Sequence, residues 1–306
     1  MIQCMEPLIR QDIILDKDFI HQIKWDGIRG LSQIRNNNIA IYTKKGLNCT
    51  DSYPELFQLP EQLKASQAIL DGELVVFNDE GIPSFYRSLK RNRTKNPLHV
   101  QGLLHDYPVK YILFDLLELN NENLRNKTLT ERQKILRNCF QPSATAVITD
   151  NFLDGSSLLE LIKEKGMEGI VSKRASSPYI PGKVHTDWFK IKIKKKILCV
   201  IMGIKLKNNI LASLSLGIYE DKTLVHIGHV SSGLTQKDLK ILNESVLSNQ
   251  AIAKEIHNDR IDLEPLLTCW VLFSEWTDKG TLRHPVFIGF SHDPVLKASG
   301  REIVYE

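Results

Sequence analysis

The sequence predicts an α+β protein of two domains, a larger one of strands and helices over 1–196 and a small β-barrel over 197–306. Three observations carry this. A length of 306 residues is about twice that of an average domain and leaves room for two cores. Through the first two-thirds, strand-like apolar runs alternate with capped helical stretches, whereas beyond Lys196 short strands dominate. Between them lies a lysine run, Lys190, Lys192, Lys194, Lys195 and Lys196, a natural boundary or hinge.

In chain order, Ile34 and Ile39-Ala40-Ile41-Tyr42 flank the polar turn Asn36-Asn37-Asn38, the pattern of a hairpin. Ile69-Leu70 and Leu74 to Phe77 form a strand ended by Asn78-Asp79-Glu80-Gly81. Tyr111 to Leu117 is apolar nearly throughout, as in a strand buried on both faces. Thr128 with Glu131 forms a capping box that opens a helix to Phe140, and Ser157 with Glu160 forms another. Gly166 sits where a helix C-cap belongs. Three short strands follow, near Gly169–Lys173, Trp188–Ile193 and Leu198–Ile204. In the second domain Leu211–Tyr219 and Leu224–Val230 read as strands. A helix opened by Thr235 and Asp238 comes next, then strands near Thr268–Trp276 and Pro285–Phe290.

Composition excludes several classes. Hydrophobic residues at 42% and charged residues at 25% are globular proportions, not those of a disordered or collagen-like chain. No run approaches the roughly 20 apolar residues of a membrane span. The N-terminus has no basic segment followed by an apolar core, so a cytoplasmic protein is expected. The five cysteines form no C-x-x-C pair, which argues against structural zinc and for buried, reduced thiols. His226 and His229 lie three apart, a spacing that on a regular strand points them to opposite faces. A net charge of +4 permits a nucleic-acid partner without demanding one.

Chemistry concentrates at Lys24-Trp25-Asp26-Gly27-Ile28-Arg29. A nucleophilic lysine must lose its proton, which burial and a nearby cation favour. The apolar neighbours Ile23 and Trp25 promise the first, and Arg29 the second. Gly27 allows a tight turn that brings Lys24 and Arg29 to one phosphate-bearing ligand. Asp71-Gly72-Glu73 is expected to end a strand with a carboxylate, and Glu168-Gly169-Ile170-Val171-Ser172-Lys173 to do the same. Trp188-Phe189-Lys190-Ile191-Lys192 sets two lysines on one face of a strand. No phosphate-binding loop of the type G-x-x-x-x-G-K-[ST] is present.

In this order these segments resemble the nucleotidyltransferase motifs of ATP-dependent DNA ligases, and most closely the ligase module of bacterial ligase D, the end-joining ligase, without its polymerase and phosphoesterase modules. The likeness extends to Leu74-Val75 and Pro83-Ser84-Phe85, to Arg174 with Ser177-Pro178-Tyr179 and Pro181-Gly182-Lys183, and to Leu216-Gly217-Ile218-Tyr219 and Phe273-Ser274-Glu275-Trp276 with Leu282-Arg283-His284-Pro285. The resemblance implies a nucleotidyltransferase (adenylation) domain of antiparallel sheets with helices, followed by an OB-fold barrel, with no space for an N-terminal helical DNA clamp. It implies that Lys24 takes AMP from ATP, that AMP passes to the 5′-phosphate of a nick, and that the 3′-hydroxyl then displaces it. Lys190 and Lys192 would bind the α-phosphate, Arg29 the ribose or nick phosphate, and Phe114 would stack on adenine, with Gln22, Ile23 and Lys44 completing the nucleotide site. Glu73 and Glu168 would contact ribose and hold Mg²⁺ or Mn²⁺. Arg87, Lys90, Arg91, Arg93 and Lys95 form a basic loop suited to the DNA backbone. The implied partners of a monomer at the nucleoid are nicked or broken duplex DNA, Ku and a separate end-joining polymerase.

Three positions depart from the family. Gln22 replaces a glutamate, which keeps an amide oxygen for adenine N6 but removes a charge. Lys44 stands for an arginine and loses its bidentate fork. The closing barrel motif, normally an arginine followed by Asp-Lys, reads Ser291-His292-Asp293-Pro294. Rival readings are an mRNA guanylyltransferase, an RNA ligase, and a catalytically weak DNA-end-binding protein.

Overall fold

The computed structural model describes residues 3–207, 210–247, 253–257 and 259–305. The chain forms two compact units, Met1–Lys192 and Ile193–Glu306.

The first unit holds two sheets. Its strands are β1 (Glu6–Ile9), β2 (Phe19–Ile23), β3 (Ile28–Arg35), β4 (Asn38–Thr43), β5 (Gln67–Val76), β6 (Val109–Leu119), β7 (Glu122–Asn123), β8 (Ala146–Ile148), β9 (Gly169–Arg174) and β10 (Val184–Lys192). One sheet runs β1-β10-β9-β2; the other runs β4-β3-β5-β6-β7, with β8 parallel to β6. The expected hairpin is β3–β4: Asn36 and Asn37 take φ values of 47° and 64°, the left-handed pair that a two-residue turn needs to follow strand twist. Leu31, Ile69 and Leu117 of one sheet pack with Trp188 of the other and with Met5 and Tyr179. The chain crosses between the sheets at Lys24–Gly27, between β2 and β3.

The helices are α1 (Phe85–Arg93), α2 (Pro97–Asp106), α3 (Leu129–Cys139) and α4 (Gly155–Glu164). Thr128 and Glu131 form the expected capping box on α3. At α4 the expected box is corrected: Asp154 is the N-cap, accepting from the Ser156 and Ser157 amides, and Ser157 Oγ donates back to it. Gly166 follows α4 at φ 63°, as a helix-ending glycine should. The basic loop is also corrected. It is mostly helix α1, because Ser84 caps the Arg87 amide and a cap starts a helix that charge alone does not disclose. Asp71-Gly72-Glu73 lies inside the ten-residue β5 rather than at a strand end, with a register shift between Asp71 and Gly72.

The second unit is an eight-stranded curled sheet of β11 (Lys195–Lys207), β12 (Ile210–Glu220), β13 (Thr223–Val230), β14 (Ala253–Ile256), β15 (Arg260–Leu263), β16 (Thr268–Phe273), β17 (Val286–Ser291) and β18 (Val304–Tyr305), with helix α5 (Gln236–Leu247). The long strand β11 organises it. Lys195–Val200 pair with β16 and Gly203–Lys205 with β15, while β12 runs along residues 200–207. A bridge from Ser232 to Val286 links the end of β13 to β17, as in an OB-type barrel. Lys195 and Lys196 pair with Phe273 and Leu272, so the lysine run expected to close the first domain at 196 instead enters the second unit's first strand. His226 and His229 share a face, with rings 4.8 Å apart. The ladder slips between Leu216 and Gly217, leaving Ile227 unpaired, and one extra residue inverts the alternation. All five cysteines are free and buried.

Candidate active site

Strand register assembles the site. In the β2–β9 ladder Ile23 faces Ile170, and the Lys24 amide then donates to Gly169 O at 2.9 Å. On the other edge of β9, Lys192 faces the same Gly169. Glu168, the residue before β9, is thereby flanked from both sides: Lys24 Nζ is 2.5 Å from Glu168 Oε2, and Lys192 Nζ 2.6 Å from Oε1. Gly169 is required there. Its φ is +147°, and a Cβ would meet Ile191 O at 2.1 Å, so a side chain would push apart the strands that bring these groups together.

The electrostatics correct one expectation. Burial lowers the pKa of Lys24, but the Glu168 charge and hydrogen bond, with Glu73 and Asp26, outweigh it and raise the pKa above the ordinary lysine value. Arg29 does not activate Lys24. Its guanidinium is committed to Asp71 at 2.9 and 2.6 Å and to Met5 O at 2.7 Å. Nor does Gly27 serve a left-handed turn: a Cβ there would lie 2.5 Å from Leu74 O, so its role is close approach of the crossing segment to β5.

Glu73, on β5 opposite Arg29, has its pKa pushed up to about 8. Burial is the main cause, and Lys24 and Arg29 pull the other way. Such a desolvated carboxyl calls for a cation. With Glu168 it makes a hard oxygen set that fits Mg²⁺ or Mn²⁺.

Phe114 is half-buried on β6, edge-on to Trp188 with centroids 6.4 Å apart. Behind it sits Lys173, which closes the Glu168 motif but to which the resemblance assigns no role. Lys173 Nζ lies 4.1 Å from the Phe114 centroid and 4.2 Å from that of Trp188. Burial pushes its pKa down to about 7; Arg29 and Arg132 add to this, while Asp115 and Asp71 oppose it.

Gln22 is 2% exposed and donates from Nε2 to Asn151 Oδ1 at 2.7 Å. Ile23 ends β2 and is half-buried. Lys190 makes no ion pair among the described residues, and its pKa is lowered by burial and by Lys192, Lys24 and Lys44. Lys44 pairs with Glu6. Lys24, Lys44, Lys190 and Lys192 thus form one cationic group, suited to a polyphosphate.

The model of the ATP dependent DNA ligase domain matches residues 9–192, and that of the ATP dependent DNA ligase C terminal region matches 207–294. The chain belongs to the ATP-dependent DNA ligase family. It is 31% identical over 264 residues to DNA ligase 2 of Methanosarcina acetivorans, covering 80% of this chain and 46% of that one. It is 28% identical to the multifunctional non-homologous end joining protein LigD of Mycolicibacterium smegmatis, covering 90% of this chain and 36% of that one. This ligase-family chain therefore spans less than half the length of those relatives. Mycobacterial DNA ligase D complexed with ATP and MES superposes with a TM-score of 0.57 at 26% identity, covering 98% of each chain. A Lig E DNA ligase shares the fold at 16% identity, with a TM-score of 0.60 over 95% of this chain and 100% of that one.

The basic residues of this ligase-family chain divide sharply. Arg91 is fully buried, with Nη2 2.7 and 2.8 Å from the Glu55 carboxylate. That corrects its assignment to DNA: a guanidinium sealed beneath the surface and neutralised by Glu55 reaches no phosphate. Arg87 is held by Asp79 at 2.8 and 3.1 Å. Arg93 and Lys95 are exposed, with Lys95 donating to Ser52 Oγ. In the second unit, the altered closing motif folds on itself. Ser291 Oγ donates to Asp293 Oδ2 at 2.7 Å, and Lys297 pairs with Asp293 at 3.0 Å. Arg283 is held by Glu275 at 2.9 Å. Among the described residues no helix is long and apolar enough to cross a membrane.

Proposed function

We propose that this protein is an ATP-dependent DNA ligase that seals 5′-phosphate/3′-hydroxyl breaks, in double-strand-break end joining, through a lysyl-AMP intermediate on Lys24. The observation that carries the reading is the register-built cluster of Lys24, Glu168 and Lys192 beside Glu73, in a chain of this family. Lys24 Nζ, after giving up a proton to become the free amine, attacks the α-phosphorus of ATP, forming the N–P bond as the P–O bond to the departing pyrophosphate breaks. AMP then passes to the nick 5′-phosphate, and the 3′-hydroxyl expels it. Each step moves negative charge between phosphate oxygens, so stabilisation by Lys44, Lys190 and Lys192 dominates. Glu73 and Glu168 would hold a divalent cation, which supplies charge neutralisation at the phosphates. Arg29, anchored by Asp71, takes the ribose or nick phosphate, and Phe114 stacks on the base. Arg93 and Lys95 serve the DNA backbone, and Ku and a separate polymerase are the expected partners.

The test is labelling with α-³²P-ATP and Mg²⁺ or Mn²⁺, followed by sealing of a nicked duplex. An acid-labile AMP adduct lost in Lys24→Ala, together with nick sealing, is the expected result. Labelling by GTP instead would identify a guanylyltransferase, and sealing confined to RNA ends an RNA ligase. Duplex-end binding with no adduct would identify a non-catalytic binder.

A further inference from the structure

We infer that Gln133 and Asn151 set the nucleobase preference of the site, by locking the amide of Gln22 so that it shows the base an acceptor. The inference rests on the reading of Lys24 as a nucleotide acceptor. Its basis is a chain of three side-chain amides whose direction one backbone group dictates. The Phe114 carbonyl on β6 can only accept, and Gln133 Nε2 donates to it at 3.0 Å. Gln133 Oε1 must therefore face the other way, where it accepts from Asn151 Nδ2 at 2.6 Å. Asn151 Oδ1 in turn accepts from Gln22 Nε2 at 2.7 Å. Only Gln22 Oε1 is left over, and it has no hydrogen-bond partner among the described residues.

Reversing any one amide opposes two oxygens or two N–H groups, and a buried polar group left without its partner is strongly disfavoured. Gln133 is 1% exposed and Gln22 2%, so the cost falls on these two amides, and the exposed Asn151 is oriented by its bonds to them. A free glutamine amide would serve a donor or an acceptor equally; this one is polarised by its neighbours. It stands two residues before Lys24, and the chain begins at the carbonyl of Phe114, the residue assigned to stack on the base. An acceptor held there favours a purine with a 6-amino group and repels one with a 6-oxo group. Gln133 and Asn151 are positioning residues: they act on the base through Gln22.

The probes are ATP and inosine triphosphate, which differ only in the 6-substituent and the N1 proton it entails. The full-length chain is measured in two ways: the ratio of kcat/KM for lysyl-nucleotide formation, and the ratio of equilibrium affinities in a Lys24→Ala background. Asn151→Leu and the volume-matched Gln133→Met should each reduce the preference for ATP about tenfold in both measurements. Asn151→Asp still accepts from Gln22 Nε2 and should keep the wild-type ratio, which a merely structural role would not predict. Asn151 is exposed, so Asn151→Leu leaves no cavity, and an unchanged melting curve identifies a folded variant. A folded Asn151→Leu that keeps the wild-type ratio, or that loses ATP and inosine triphosphate equally, overturns the inference. If the wild type forms no adduct but binds ATP over inosine triphosphate, and Asn151→Leu erases that preference, the ligase reading fails and the amide chain stands.

Discussion

Lys24 Nζ lies 2.5 Å from Glu168 Oε2, while Lys192 takes the other oxygen of the same carboxylate at 2.6 Å. The proposed nucleophile is thus held as an ammonium ion by a carboxylate shared with a second lysine. The Glu168 charge raises the Lys24 pKa, so any change that neutralises Glu168 makes the lysine easier to deprotonate.

Glu168→Gln should therefore shift the pH profile of self-adenylation. Glu168 raises the Lys24 pKa, so its removal lowers the pH at which the amine becomes reactive. The maximal rate should fall about 10²-fold, because a group facing the reacting phosphates is lost. Single-turnover adenylation from about pH 6 to about pH 10 checks this; an alkaline shift of the profile would contradict it.

Glu73 gives a stability prediction with a definite sign. Its pKa is raised from 4.5 to about 8, so the folded state holds a proton that the unfolded state releases between those values. The associated stability is complete below pH 4.5 and lost as pH rises through about 8. Glu73→Gln should match wild type in denaturant melts near the lower value and exceed it above the upper one. Each unit of pKa displacement is worth about 1.4 kcal/mol, and a gain of a few kcal/mol is the ceiling. Equal stabilities at alkaline pH would show that the carboxylate is already compensated.

The basic residues of α1 and the segment after it should separate in salt titrations. Arg91→Ala leaves Glu55 without its buried partner and should cost about 3–5 kcal/mol of stability, with no change in the salt dependence of DNA binding. Arg93→Ala with Lys95→Ala should leave stability nearly unchanged and flatten the log–log salt slope by at most about two. If Arg91→Ala alone, in folded protein, flattens the slope, its burial is not maintained on DNA.

Self-adenylation should limit turnover. In the family resembled, the closing arginine and lysine orient departing pyrophosphate, and Ser291 and Pro294 carry no charge. Two cations near these positions in sequence are engaged, Arg283 with Glu275 and Lys297 with Asp293. Loss of a cationic contact to a leaving phosphate costs about 10²–10³ in rate. Sealing of a pre-adenylated nick should outpace sealing from ATP, and Ser291→Arg with Pro294→Lys should accelerate adenylation. Adenylation already faster than sealing, and not improved by the double variant, would sink the idea.

What the sequence by itself determined is what short-range physics enforces. The Asn36-Asn37 turn, the Thr128–Glu131 box and Gly166 depend on residues within a few positions, and all stand where local pattern put them. The proposed site residues Lys24, Glu73, Glu168, Lys190 and Lys192 lie in short motifs because nucleotide chemistry restricts residue type at close spacing. Tertiary structure decided the partnerships. Lys24 and Glu168 are 144 residues apart in sequence and meet because both flank Gly169 in a ladder; only register could give Arg29 to Asp71 rather than to Lys24. Arg91 reads like its basic neighbours until packing buries it against Glu55, and the His226–His229 pair needs a bulge that no periodicity announces. Gln133 and Asn151 carry no motif at all, because an uncharged amide acquires meaning only from the groups that fix its direction. Hydrogen bonds and ion pairs act over a few ångströms of space, and only the folded chain determines which distant residues come that close.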